Sequence, residues 1–417
     1  MSGSVIAPEG GSVPSAVFYS KDGKAESLSA TVGMTIREVL RNNGIPANAV
    51  LCSIGGVIVA EKATLGLDDH LEIRQVRHYD LDVTRRPATR VLPSANPPVY
   101  SKAVLFDDSG SLEVQSEDMD EAQFTDYVEQ IFAASITEHD LLAIDRPAVV
   151  GLSGGRDSVA FLKLLERCRD RIGTFPLTAV TVTGLPDWEE PATFGAAKAV
   201  AESLGVHQVL VDEAAIRETF ALRRSFHEVM QDVVGGDSRQ MVMVITHHVM
   251  RRMIEIEGAR RGVGTVVLGL NGDDLLASIV TWLTSGFVMG SIPKRTIGEL
   301  EYVFPLFRIT KKELTLYLEI VAPELNRQGT PGRFTTGPQE RSMAYALTDH
   351  LYDLWPGIDY YVFEAFRQFA ERMGKLEHDQ CRTCGAAYLP QPGVANPKAL
   401  CDVCHFFAMR EYAVVRV

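Results

Sequence analysis

Apolar residues recur along this chain with two periods, and the order in which those periods alternate predicts its architecture. Residues 16–20 and 26–32 read as two strands joined by a turn at Lys21-Asp22-Gly23-Lys24. Thr35, with Glu38 three residues later, makes a capping box for a helix that ends near Asn43-Gly44. Residues 50–60 are strand-like around Gly55-Gly56, and residues 71–76 alternate apolar with polar. An amphipathic helix follows over 121–136. From residue 147 onward, strand-length apolar runs at 148–152, 177–182, 207–211 and 265–269 are separated by helical spacing over 159–167, 191–204, 241–259 and 273–283. That alternation predicts an α/β domain with a doubly wound parallel sheet, a fold that binds ligands at the carboxyl ends of its strands.

A chain of 417 residues is long for one domain. Residues 1–15, rich in Gly, Ser and Pro, read as a flexible leader, and 16–80 as a first small domain. Prolines and short polar residues make 81–119 a linker region. The α/β domain occupies 120–370, and 371–417 form a C-terminal unit. Charge changes this picture only locally. The formal net charge is -13, but residues 101–150 alone hold twelve Asp and Glu against Lys102 and Arg146. Basic pairs persist elsewhere, at Arg251-Arg252, Arg260-Arg261, Lys294-Arg295 and Lys311-Lys312. An acidic total therefore does not exclude a nucleic-acid partner. No apolar run approaches the roughly 20 residues of a membrane span, and the first residues lack the apolar segment of a signal peptide. No membrane partner and a cytoplasmic location are the expectations.

The chemistry concentrates at Ser153-Gly154-Gly155-Arg156-Asp157-Ser158, between a predicted strand and a predicted helix. Glycines on such a turn allow positive φ and close approach of a ligand. The free N–H groups of the helix start bind anions. The six residues resemble the S-G-G-x-D-S signature of the PP-loop (N-type) ATP pyrophosphatases. The resemblance implies an adenine nucleotide alpha hydrolase-like fold and ATP cleavage between the α and β phosphates. It places Ser153, Gly154, Gly155, Arg156, Asp157 and Ser158 at the nucleotide, with Asp157 and Ser158 also catalytic.

A second turn, Gly269-Leu270-Asn271-Gly272-Asp273-Asp274, also follows a strand and opens a helix. Two adjacent carboxylates there suggest Mg²⁺ on pyrophosphate oxygens; a helix N-cap role for Asp273 fits equally well. The stretch resembles the G-H/N-x-x-D-D segment of the tRNA thiolation branch, the two-thiouridine and two-thiocytidine synthetases. Phe304-Pro305-Leu306 with Lys312-Glu313 and Tyr317 resembles a later segment of that branch. Gly269, Asn271 and Asp273 are accordingly expected at the nucleotide and Asp274 in catalysis.

The order of elements over 16–80, with its Asp68-Asp69-His70-Leu71-Glu72-Ile73 ending, resembles a ubiquitin-like β-grasp domain of the sulfur-carrier type. Such carriers act through a free C-terminal Gly-Gly carboxylate. Here Gly55-Gly56 is internal, so a docking or regulatory module is expected. Near the C-terminus, Cys381-Arg382-Thr383-Cys384 and, sixteen residues on, Cys401-Asp402-Val403-Cys404 have the spacing of a Cys₄ zinc ribbon. Four filled positions make that zinc structural, with His378 and His405 as spare ligands and a redox-active pair as the alternative.

The thiolation branch usually carries a C-x-x-C pair at the start of the helix matching 243–259 and a third cysteine near 325. This chain has His247-His248 in the first place and no cysteine in 326–334. The expectation is therefore no iron–sulfur cluster, with His247 as a general base or ligand at the missing cysteine site. The expected function is an AMP- and pyrophosphate-forming adenylating sulfurtransferase that uses ATP and Mg²⁺. Its substrate is tRNA or a small molecule, and its sulfur comes from sulfide or from a sulfur-carrier protein docked on the β-grasp module. A small-molecule thioamide- or amide-forming enzyme and a non-catalytic ATP-binding regulator are the alternatives. A homodimer is among the assemblies open to it.

Overall fold

The computed structural model describes residues 14–20, 24–76, 98–108, 111–183, 191–238, 241–285, 290–325, 339–354, 357–373, 377–390 and 399–414. Most of the expected leader, the turn at 21–23 and the stretch 326–334 lie outside the described residues. The N-terminal module has five strands: β1 (Ser15–Tyr19), β2 (Ala25–Leu28), β3 (Val50–Ile54), β4 (Val57–Val59) and β5 (His70–Gln75). They form one mixed sheet in the order β2-β1-β5-β3-β4, with β1 and β5 parallel. Helix α1 (Ile36–Asn42) packs Ile36, Val39 and Leu40 into one core with Leu71 and Ile73. This is the β-grasp arrangement. The expected capping box is present: Glu38 N–H donates to Thr35 Oγ1 (3.3 Å) and Thr35 N–H to Glu38 Oε2 (2.8 Å). Gly55 and Gly56, at φ +58° and +81°, make the tight turn between β3 and β4.

Residues 100–119, read from the sequence as linker, pair instead as a hairpin of β6 (Tyr100–Asp108) and β7 (Ser111–Met119). The linker's prolines end at Pro98, so nothing beyond it breaks a strand ladder. Helix α2 (Glu121–Glu138) leads into the main sheet. That sheet contains β8 (Ala148–Gly151), β9 (Leu177–Val182), β10 (His207–Val211), β11 (Thr265–Val267), β12 (Lys294–Ile297) and β13 (Leu300–Val303). Its order is β10-β9-β8-β11-β13-β12, parallel except for the edge strand β12. The intervening helices are α3 (Arg156–Arg167), α4 (Arg169–Ile172), α5 (Pro191–Ser203), α6 (Glu213–Thr219), α7 (Phe226–Gly235), α8 (Met241–Arg260), α9 (Gly272–Ser285) and α10 (Lys311–Val321).

Successive strand residues serve opposite faces, as a period of two requires. Val149 and Val266 join Val249, Met253 and Phe226 on one side. Val150 and Val267 join Phe132, Phe161 and Leu314 on the other. Burial on both faces is why these strands read as continuous apolar runs. The strand order reverses between β8 and β11, so the switch point lies between the two glycine-bearing turns. Beyond the sheet come α11 (Gln339–Leu354) and α12 (Ile358–Met373), then the short strands β14 (Asp379–Gln380) and β15 (Ala387–Tyr388) and helix α13 (Asp402–Met409).

The β-grasp module docks directly on the α/β domain. Leu51, Ile58 and Val76 enter the same core as Val150 and Leu314. Arg74 bonds Glu319 at 2.5 Å, with both side chains nearly excluded from solvent. Lys312 pairs with Glu61 and donates to the Ala47 carbonyl at 3.1 Å. Removing one member of a buried pair strands the other charge, a cost of roughly 3 to 5 kcal/mol. Arg74→Met should therefore lower the unfolding midpoint markedly, while Arg74→Met with Glu319→Leu should recover most of the loss. Thermal unfolding of the two variants measures the difference.

Candidate nucleotide site and four-cysteine centre

Strand β8 ends at Gly151 and α3 begins at Arg156, so the phosphate loop spans the sharp turn between them. Gly154 sits at φ +77°, a left-handed conformation that a side chain would strain. Gly155 is the N-cap of α3 and brings no capping side chain, which leaves first-turn N–H groups for an outside anion. The two serines brace the turn. Ser153 Oγ accepts from Gly155 N–H (3.2 Å) and stands 3.3 Å from Ser158 Oγ, whose hydroxyl donates to the Gly155 carbonyl (2.9 Å). A Cβ on Gly269 would already be in contact with the Ser158 backbone at 3.6 Å, so the second turn lies against the first.

The residue that ties the two turns together is Lys311, which sequence reasoning treated only as part of a basic pair. Its ammonium binds both carboxylate oxygens of Asp157, at 2.5 Å from Oδ1. Its backbone N–H donates to Asp273 Oδ2 at 2.5 Å. Asn48, from the β-grasp module, donates to Asp273 Oδ1 at 3.1 Å. The signal available beforehand was the Thr310–Glu313 capping box, which fixes Lys311 as the first residue of α10.

Several expected site residues take other roles. Asp273 is fully buried with both oxygens engaged. The N-cap of α9 is Asn271: its Oδ1 accepts from Asp274 N–H (3.0 Å), and Asp274 Oδ2 accepts from Asn271 N–H (3.4 Å). Asp274 Oδ1 also accepts the Tyr345 hydroxyl at 2.5 Å. The carboxylates expected to hold Mg²⁺ are thus committed to protein donors in this arrangement. Arg156 turns away from the loop, toward Thr315 Oγ1 (3.3 Å) and the Val76 carbonyl (3.4 Å), and burial lowers its pKa. It is a strut between modules. Asn271 Nδ2 is buried without a hydrogen-bond partner among the described residues, a donor at the switch point that suits a nucleotide acceptor.

Cys381, Cys384, Cys401 and Cys404 are all buried, and their Sγ atoms lie within 4.8 Å of one another. The β14–β15 turn presents the first pair, and Cys401 N-caps α13 to present the second. Hydrogen bonding from Cys381 and Cys401 holds the Cys384 thiol well below its usual range, while the same bonding raises Cys401 and Cys404, so ionising all four calls for a cation among them. His378 and His405 are not in the group. Helix α8 supplies the neighbour instead. His248 Nε2 stands 3.4 Å from Cys401 Sγ and 3.8 Å from Cys384 Sγ, and Arg252 Nε donates to the Cys384 carbonyl at 2.6 Å. His247, the histidine expected to be catalytic, is exposed on that helix.

No protein-family model matches the sequence. The tRNA 2-thiolation protein NcsA of Haloferax volcanii is 24% identical over 263 residues, covering 57% of this chain and 77% of that protein. The structure of U34-tRNA thiolase NcsA from Methanococcus maripaludis with its 4Fe–4S cluster superposes with a TM-score of 0.52 at 17% identity, covering 72% of this chain and 92% of that one. An NH3-dependent NAD synthetase from Campylobacter jejuni covers 62% of this chain and 98% of its own at 15% identity, with a TM-score of 0.33 that is too low to argue from. The sequence relationship, the shared fold and the phosphate loop agree. The chain is a homologue of the NcsA proteins, whose superfamily is that of the PP-loop ATP pyrophosphatases.

Within this superfamily of enzymes, one expectation needs correction. Missing cysteines on α8 argued for a protein with no iron–sulfur cluster. The NcsA of known structure carries a 4Fe–4S cluster, and this PP-loop enzyme's own four-thiolate set is one that an iron–sulfur cluster accepts. Four cysteines alone do not single out zinc. The other two cysteines are chemically quiet. Burial pushes the Cys52 thiol up to about 11 and the Cys168 thiol up to about 12. Iodoacetamide at neutral pH should label neither in the folded protein and both after unfolding, as mass spectrometry of the modified chain will show.

Proposed function

We propose that this PP-loop enzyme cleaves ATP to AMP and pyrophosphate in order to adenylate a nucleobase oxygen in tRNA, which a sulfur nucleophile then replaces. The observation that carries the first half is the phosphate loop at the switch point, with Lys311 reaching it from α10. The relationship to NcsA proteins supports the second half. The substrate oxygen attacks the α-phosphorus, the bond to the bridging oxygen breaks, and pyrophosphate leaves onto the loop. The first-turn N–H groups of α3, Ser153 and Ser158 hold that leaving group. When a triphosphate arrives, the Lys311 ammonium exchanges Asp157 for phosphate oxygens and stabilises the charge that develops there. Sulfur then attacks the activated carbon and AMP departs. Cys52 and Cys168 are too deeply buried to supply it.

We assign the four thiolates to a metal centre, which an iron–sulfur cluster or a single ion would satisfy. Four bonds of about 2.3 Å to a tetrahedral ion place its sulfurs about 3.8 Å apart, the separation of Cys384 and Cys401 (3.8 Å). Analysis for iron, zinc and acid-labile sulfide, with the visible absorption spectrum, identifies the centre. Cys381→Ser should release it and lower the unfolding temperature by several degrees.

Product analysis tests the chemistry. Asp157→Ala and Ser153→Ala should abolish AMP release, and Lys311→Ala should reduce it at least a hundredfold with folding preserved. Release of ADP and phosphate by the wild-type protein would remove the proposal.

A further inference from the structure

We infer that the cleft between the β-grasp module and helices α10 and α12 binds one nucleotide unit, with its phosphate at Arg37 and its base against the tyrosines of α12. The inference rests on the RNA reading above and deepens it by naming where the substrate nucleotide sits.

The cleft encloses about 410 Å³, ample for a nucleotide. Its walls come from both modules: Arg37 and Asn48 from the first, Thr310 and Lys312 from the start of α10, Tyr360 and Tyr361 from α12. Thr310 and Lys312 flank Lys311, whose ammonium lies on Asp157. The cleft and the phosphate loop therefore meet at the same helix start, a placement that brings a bound base toward the adenylating centre.

Most charges in the wall have a partner, Lys102 meeting the Tyr127 hydroxyl in the field of Asp359, and Arg37 stands apart. Lys312 pairs with Glu61, Arg308 with Glu138, and Arg367 with Glu364. Glu313 accepts from the Tyr100 and Tyr127 hydroxyls and caps α10. Arg37 is half-buried, and its guanidinium meets no carboxylate among the described residues. A guanidinium held at a cleft without an acid is a site for an anion, and its planar fork suits phosphate.

Tyr360 and Tyr361 stand side by side with ring centroids 5.6 Å apart and remain 61% and 48% exposed. Such rings at the mouth of a cavity are unusual for a folded chain and form a stacking surface for a splayed-out base. Asp359 adds a polar group beside them. Its burial raises the carboxyl to about 6, so above that pH it accepts from a base edge and below it donates.

A free nucleotide and a nucleotide within RNA offer the same chemistry, and the test separates them. Full-length wild type, Arg37→Ala and Tyr360→Ala are titrated against bulk tRNA by fluorescence anisotropy, against UMP by calorimetry, and against a non-hydrolysable ATP analogue. Arg37→Ala should weaken tRNA binding about tenfold and flatten its dependence on log salt by about one unit. Tyr360→Ala should weaken it five- to tenfold. Neither should change binding of the ATP analogue more than twofold. Binding of UMP without tRNA, lost in both variants, would keep the cleft as a nucleotide site and remove the RNA reading. Unchanged tRNA and UMP binding in both variants would overturn this inference and leave that reading intact. Equal loss of ATP-analogue binding would also overturn it, because the cleft would then belong to ATP. A wild-type protein that binds neither tRNA nor UMP overturns both.

Discussion

The ion pair between Lys311 and Asp157 is the contact on which the arrangement of the site depends. Lys311 opens α10, so its backbone N–H is one of the donors a helix start leaves unpaired, and Asp273 takes it. Its side chain reaches the phosphate loop from the opposite direction. One residue thus fixes α10 against both turns of the switch point. The pair is only partly shielded, with about a fifth of each side chain exposed, so solvent reaches and weakens it.

The same helix start explains why the β-grasp module is part of the enzyme. Lys312 follows Lys311 and points the other way, into a nearly dry pair with Glu61. Asn48 completes the shell of Asp273. Arg156, inside the phosphate loop motif, spans to the Val76 carbonyl. A carrier that comes and goes would have to expose Glu61, Arg74 and Asp273 together, each of which has lost its water to a partner across the interface. The internal Gly55-Gly56 supports the same conclusion, because it is spent on a hairpin turn. The module is a fixed wall of the site.

What the sequence disclosed and what it withheld divide along the range of the contacts. The phosphate loop, the capping boxes at Thr35 and Thr310, the parallel strands and the four cysteines rest on spacings of a few residues or on burial runs, and these are legible in one dimension. The partner of Asp157 lies 154 residues away and that of Asp273 in the module lies 225 residues away. No periodicity encodes either. Arg156 and Asp273 were read as ligand groups because the motif places them beside a phosphate site; in three dimensions each meets a neighbour that uses its charge for assembly. The hairpin at 100–119 was missed because proline content just before it was extended over a stretch that has none. The iron–sulfur expectation failed for a different reason. It treated the cysteines of α8 as the only route to a cluster, whereas the donor set in this chain stands at the C-terminus.

Helix α8 joins that C-terminal centre to the phosphate loop. At one end Arg252 donates to the Cys384 carbonyl, and His248 lies against the sulfurs of Cys384 and Cys401, one from each knuckle. Further along, Ile254 lies so close to Gly151 that a Cβ there would come within 2.8 Å of it. Gly151 is the last residue of β8, immediately before the loop. A side chain at 151 would have to displace the Ile254 Cδ1 methyl, the flexible end of that side chain. The glycine therefore serves close packing, and α8 runs from the four-cysteine group to the strand end that carries the phosphate-loop motif.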